Sequence, residues 1–299
     1  MSTHLDVLRE IAPEQRATLH ERSDRAGLQH LASYAAVLLL CSLWIANGWI
    51  AWQFILLPQG LLLVFLFTLQ HECTHETPFR SPVLSRIIGH LIALILAQPF
   101  IWFRYFHLAH HRYTNDPEND PELLGGAKPE GWWQMILYTS GLPTWRSNLT
   151  VVLRYAFAPE PAPYLPARAL PRITLEARFM LLVYALAGVS LLWSSLVLWL
   201  WIIPALIAMP FLRIYLLAEH GRCPYVANML ENTRTTYTTR LVRWLAWNMP
   251  YHIEHHSAPN VPFHKLPALH AHMHSALLST SNGYREFARE YVQPFKSAR

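Results

Sequence analysis

Residues Leu31–Gln70, LASYAAVLLLCSLWIANGWIAWQFILLPQGLLLVFLFTLQ, run without a single Asp, Glu, Lys or Arg. At about 1.5 Å of rise per helical residue and a hydrocarbon core of about 30 Å, such a stretch is long enough for two membrane crossings. Asn47-Gly48 supplies the turn in its middle, and Trp44, Trp49 and Trp52 around that turn read as interfacial anchors. A second uncharged run, Phe179–Leu212, repeats the pattern and turns near Ser194-Ser195 beside Trp193. The sequence predicts an all-α integral membrane protein with four transmembrane helices, arranged as two hairpins over 31–70 and 173–218.

The charges sort around these hairpins. Both turns lack Lys and Arg, whereas Arg9, Arg16, Arg22 and Arg25 precede the first hairpin, Arg80, Arg86, Arg104 and Arg112 follow it, and Arg222, Arg234, Arg240 and Arg243 follow the second. By the positive-inside rule both termini are cytoplasmic, and segments 71–172 and 219–299 form one helical cap on that side. The apolar segment Ile87–Phe103 holds Gly89, His90 and Pro99 and reads as a re-entrant or interfacial helix rather than a fifth span. Gly125–Arg178, rich in Pro, Trp and Arg, reads as surface-lying loop and short helix. No repeat or linker divides the chain, so 1–299 is one domain with a cytoplasmic N-terminal segment over 1–30. That segment is polar and charged, which argues against a signal peptide. Cys41, Cys73 and Cys223 are scattered and imply no disulfide framework. The net charge of +5 fits loops against anionic headgroups and not nucleic acid.

Nine of the seventeen histidines form three boxes and a satellite: His71/His75, His107/His110/His111, His252/His255/His256, and His220. Residues three and four apart share a helix face, so each box aims its imidazoles one way. The first box follows directly on the second predicted span and His220 closes the fourth, while the other two are expected in cytoplasmic loops. All four converge on one membrane–cytosol boundary. Nine ligands are too many for one ion, and with about four to six per metal the count implies two ions. The remaining histidines, His4, His20, His30, His90, His264, His270, His272 and His274, read as surface groups or as partners behind the ligands. A site at the mouth of an apolar bundle suits a substrate with a polar head and a hydrocarbon tail. Attack on its unactivated C–H bonds needs dioxygen and a redox metal, for which iron is the natural choice.

The order HxxxH, HxxHH, lone His, HxxHH resembles the membrane fatty acid desaturase and hydroxylase superfamily from about His71 to Leu269. The resemblance rests on Gln70-His-Glu-Cys-Thr-His75, on His110-His-Arg-Tyr-Thr-Asn-Asp-Pro117, and on Asn248-Met-Pro-Tyr-His-Ile-Glu-His-His256 followed by Pro259, Val261-Pro262 and Leu266-Pro267. It implies a non-haem di-iron centre with two iron ions ligated by the nine histidines, O₂ as co-substrate, and fatty acyl desaturation as the leading activity. Leu216 stands where some acyl-CoA desaturases place an Asn, one turn before the lone histidine. Hydroxylation or other oxidation of an alkane, a carotenoid or a small amphipathic molecule uses the same centre. The chain carries no haem, iron–sulfur, flavin or nicotinamide motif, so electrons are expected from an external donor of ferredoxin, rubredoxin or cytochrome type. Arg234, Arg240 and Arg243 are candidates for its docking face, or meet lipid headgroups.

Carboxylates beside the boxes, Glu72, Glu219 and Glu254, and Asp116 in the turn Asp116-Pro-Glu-Asn-Asp-Pro-Glu122, are candidates to hold the far nitrogen of a ligating histidine. Two rival readings remain. His71-Glu72-Cys-Thr-His75 also satisfies HExxH, the motif of zinc metalloproteases, though such a site leaves both HxxHH boxes idle. A non-enzymatic metal carrier would place histidines within spans or in loose runs instead.

Overall fold

The computed structural model describes residues 3–297. Four helical segments are long and apolar enough to cross a membrane: Pro13–Ala46, Trp52–His75, Ala167–Ser190 and Leu198–His220. Within them the regular helices are α1 (Asp24–Ala46), α2 (Trp52–His75) and, after α3 to α6 introduced below, α7 (Leu170–Ser190) and α8 (Ile203–His220). The turn between α1 and α2 falls at Asn47 and Gly48, where Gly48 takes φ +60, a left-handed conformation that glycine adopts without strain. The second turn separates Ser190 from a single π-helical turn, Leu198–Ile202, that feeds α8. Trp44 meets Trp49 edge to face at 5.5 Å across the first turn, and Trp52 meets Trp199 at 5.1 Å. Both turns therefore lie at one end of the bundle. The C-termini of α2 and α8, which carry His71, His75 and His220, lie at the other.

α2 and α8 form the most extensive helix pair. Close approach is permitted by Gly60, where a Cβ would lie 2.0 Å from the Pro204 carbonyl oxygen, with Ala208 alongside. Small residues at such a crossing let backbones touch where hydrophobic driving force between helices is weak. Outward-facing Leu39, Leu40, Phe54, Leu186 and Leu192 remain exposed, an apolar girdle that hydrocarbon would solvate.

Between the second and third membrane-length segments the chain is more helical than its composition predicts. The expected single segment Ile87–Phe103 is two helices, α3 (Pro82–Leu96) and α4 (Phe100–Arg112), bent by 100°. α4 extends through the second histidine box, so these residues sit on a helix and not in a loop. Glu176 of α7 fixes the bend: its carboxylate accepts from the backbone N–H of Phe100 (2.8 Å) and Ile101 (3.0 Å) and from His90 Nδ1 (2.6 Å). These N–H groups have no partner inside their own helix, and a carboxylate there also meets the positive end of the helix dipole. The region read as surface-lying loop and short helix contains α5 (Trp132–Ser140) and α6 (Leu142–Phe157), the latter packed along α7.

The C-terminal third folds over the histidine end as short helices, including α9 (His252–Ser257), α10 (Leu266–Met273) and α11 (Tyr284–Ser297). Thr235-Thr236 pairs in parallel with Thr280-Ser281, a two-residue strand pair in a mostly helical chain. Val7, Ile11 and Leu19 from the N-terminal segment join the same core as Trp247, Met249 and Ile253, tying both ends of the chain to this cap.

Candidate metal centre

Four elements deliver the nine histidines to one buried cluster. His71 and His75 are one turn apart at the end of α2, His107, His110 and His111 occupy one face of α4, His220 ends α8, and His252, His255 and His256 lie on α9. The rings face one another through Nε2: His71 to His255 at 2.8 Å, His75 to His107 at 2.9 Å, and His110 to His220, His252 to His220 and His255 to His111 each at 3.2 Å. Two sets emerge. His71, His75, His107, His111 and His255 bring one nitrogen each within 4.8 Å of one another, and so do His110, His220 and His256. His252 adjoins the second set through His220.

Such convergence is costly in the protein alone. A neutral imidazole has one donor and one acceptor, yet His111 Nδ1, His252 Nδ1, His255 Nδ1 and His256 Nε2 are buried without hydrogen-bond partners. Burial, and then repulsion from neighbouring rings, holds His252, His255 and His256 well below the ordinary imidazole pKa. They are neutral at pH 7, with lone pairs free, which is the state a metal requires. The donor set fits two divalent transition-metal ions.

The groups behind the rings differ in part from expectation. Asp116 is turned to solvent and accepts from Glu118 N–H and the Asn119 amide at 2.9 Å each. The carboxylate that meets a box histidine from this turn is Asp120, whose Oδ1 lies 2.9 Å from His110 Nδ1 and whose Oδ2 accepts from Asn115 N–H at 2.8 Å. Asp120 also caps the short helix Pro121–Leu124 by accepting from Glu122 N–H at 2.9 Å, and the order Asp-Pro-Glu is a helix-start signal that marks it in sequence. Glu122 Oε2 approaches the same nitrogen to 3.4 Å. Glu219 stands 3.4 Å from His252 Nδ1, and Glu72 stands 3.6 Å from His255 Nδ1 while accepting from the Thr77 hydroxyl and Phe263 N–H. Glu254 touches no box histidine beyond its own helix: it accepts from Thr235 Oγ1 and pairs with His270 Nδ1. His270 is thus bound to a buried carboxylate rather than left at the surface. Asn232, whose carbonyl lies 3.2 Å from His220 Nδ1, and Thr114, 3.1 Å from His256 Nδ1, carry no sequence signal for these roles. Of the docking candidates, Arg234 is spent on the Ala218 and Gly221 carbonyls and Arg243 on the Tyr251 hydroxyl.

A cavity of about 200 Å³ opens beside His71, His107, His110 and His252. Its remaining wall is largely apolar, with Phe67, Phe103, Met209, Leu212 and Leu216. This apolar wall abuts the face of the histidine cluster.

The family profile "Fatty acid desaturase" matches residues 46–288. Among curated proteins, the chain is 32% identical over 117 residues to the sn-2 acyl-lipid omega-3 desaturase (ferredoxin), chloroplastic, of Arabidopsis thaliana, covering 37% of this chain and 24% of that protein. It is 34% identical over 74 residues to the chloroplastic omega-3 fatty acid desaturase of Ricinus communis, covering 25% and 16%. To the Arabidopsis thaliana acyl-lipid omega-3 desaturase (cytochrome b5), endoplasmic reticulum, identity is 29% over 103 residues, covering 32% and 26%. The matched segments thus span about a quarter or less of these relatives.

Proposed function

This chain belongs to the fatty acid desaturase family, and we propose on that footing that it is a membrane-bound oxidoreductase that desaturates the acyl chain of a lipid. The observation that carries the reading is the convergence of nine largely buried imidazoles on one cluster, four of which line a mostly apolar cavity. His71, His75, His107, His111 and His255 hold one iron ion, and His110, His220 and His256, with His252 beside them, hold the other. Bound there, the two ions supply the redox chemistry that couples reduction of O₂ to removal of hydrogen from an unactivated carbon. The balance is one CH₂–CH₂ unit, one O₂, two electrons and two protons giving one CH=CH unit and two waters.

The protein's part is placement and exclusion. Phe67, Phe103, Leu212 and Leu216 hold the hydrocarbon against the cluster and keep water from it. Asp120 fixes the ring plane of His110 by taking its Nδ1 proton in a hydrogen bond, which leaves Nε2 as the ligand. The Asn232 carbonyl does the same for His220. Glu72, the carboxylate of the HExxH pattern, is fully buried and engaged by Thr77 and Phe263, which is not how a protease's general base meets water. Electrons arrive from a separate carrier on the cap side. By the distribution of Arg, that side and both termini are cytoplasmic.

The test is lipid analysis of a host expressing the protein, beside a His255→Ala variant. New double bonds that require His255 are the expected result. New hydroxyl groups in their place would move the reading to hydroxylation, and no change in any lipid with folded, iron-loaded protein would refute it.

A further inference from the structure

Arg213 is a charged residue in the fourth membrane-length segment, two helical turns before His220 on α8. The cavity beside the histidines continues into a wider mouth of about 990 Å³, and the two share Gln98, Phe106, Thr144, Asn148, Glu122 and Arg213. Arg213 thus stands at the neck between solvent and the histidine cluster. Its guanidinium lies over the ring of Tyr138, 3.9 Å from the centroid. Among the described residues it makes no hydrogen bond or ion pair, and its Nε is buried and unpartnered.

Of the other charges at this mouth, Lys128 donates to the His220 carbonyl and to Asn115 and Glu122 approaches His110, while Arg112, over Tyr113, and Glu118 lie on its outer, exposed rim. Glu219, further in, faces His252. An ionisable side chain within a membrane segment is costly and calls for a partner. A planar guanidinium backed by an aromatic ring, with its donors free, is built for a carboxylate or phosphate. Glu219 lies on the inner side beside His252, whereas Arg213 and Glu122 line the neck itself.

We propose that Arg213 anchors the substrate by an oxyanion at its polar end, a carboxylate or phosphate joined to the hydrocarbon chain. The inference rests on the reading of the site as a lipid desaturase and specifies its substrate as anionic. Seven residues of helix separate Arg213 from His220, about 10 Å along the axis.

The test uses the full chain in nanodiscs of zwitterionic lipid. Binding of hexadecanoate is compared with that of its methyl ester, and binding of phosphatidate with that of diacylglycerol, for wild type, Arg213→Gln and Arg213→Lys. Wild type is expected to prefer a charged ligand by about tenfold or more, as a charge-assisted hydrogen bond provides. Arg213→Gln abolishes that preference and Arg213→Lys keeps part of it. Preference confined to hexadecanoate assigns a free fatty acid, and preference confined to phosphatidate assigns a phospholipid. Equal binding of charged and neutral ligands by wild type, or an undiminished preference in Arg213→Gln, overturns the proposal. Product analysis of the same samples is read separately: an intact anion preference with no oxidised lipid counts against the desaturase reading and not against the anchor.

Discussion

At the scale of single residues, the site depends on groups that touch no substrate. Asp120 holds His110 from behind, and removal of such a partner commonly costs 10- to 100-fold in metal affinity. Asp120→Ala is expected to lower iron affinity by that order in metal titrations, whereas Asp116→Ala, altering an exposed turn, leaves it as in wild type. The sequence offers Asp116, Glu118, Asp120 and Glu122 at alternate positions, and spacing along an irregular turn does not say which one points inward. The convergence of the histidines was legible because a helix converts spacing into direction, while Asn232 and Thr114 approach the rings through tertiary contacts that no local pattern encodes. Outside the membrane segments, burial and then the neighbouring Lys265 charge hold His264 below the ordinary value of 6.5. The unfolded chain then binds more protons than the folded one as pH falls through that value, so stability is complete above it and declines with acidification. A melting temperature that falls below about pH 6.5, with a shallower slope in His264→Gln, is the expected outcome.

At the scale of elements, two contacts set the frame. A side chain at Gly60 would drive α2 from α8, and these two helices carry His71, His75 and His220. Gly60→Val is expected to lower the melting temperature sharply and to reduce bound iron with it. Glu176 holds the sharp bend that turns α4 toward the cluster. Glu176→Ala strands two backbone N–H groups, at about 1–3 kcal/mol each, and a matching loss in denaturation midpoint checks it. The turns between the membrane-length helices were legible from uncharged runs broken by Asn-Gly and Ser-Ser. The two-helix bend was not, because Ile87–Phe103 has the apolarity of one short helix and the bend is stabilised by a residue some seventy positions later. The length of α6 was hidden for a related reason: Pro143 lies in its first turn, where proline is tolerated, and so mimics loop composition.

For the whole molecule, the turns between the membrane-length helices lie at one end and the histidine cluster at the other, an arrangement that labelling can test. A cysteine placed at Ser194 is expected to react with an impermeant reagent from the side opposite to one placed at Glu290 in the exposed face of α11. The central claim is that the nine histidines form one two-iron centre. It is tested most directly by metal analysis of the detergent-purified protein beside His107→Ala and His255→Ala. The account predicts close to two irons per chain, falling in both variants. A single zinc per chain that survives both substitutions would contradict it.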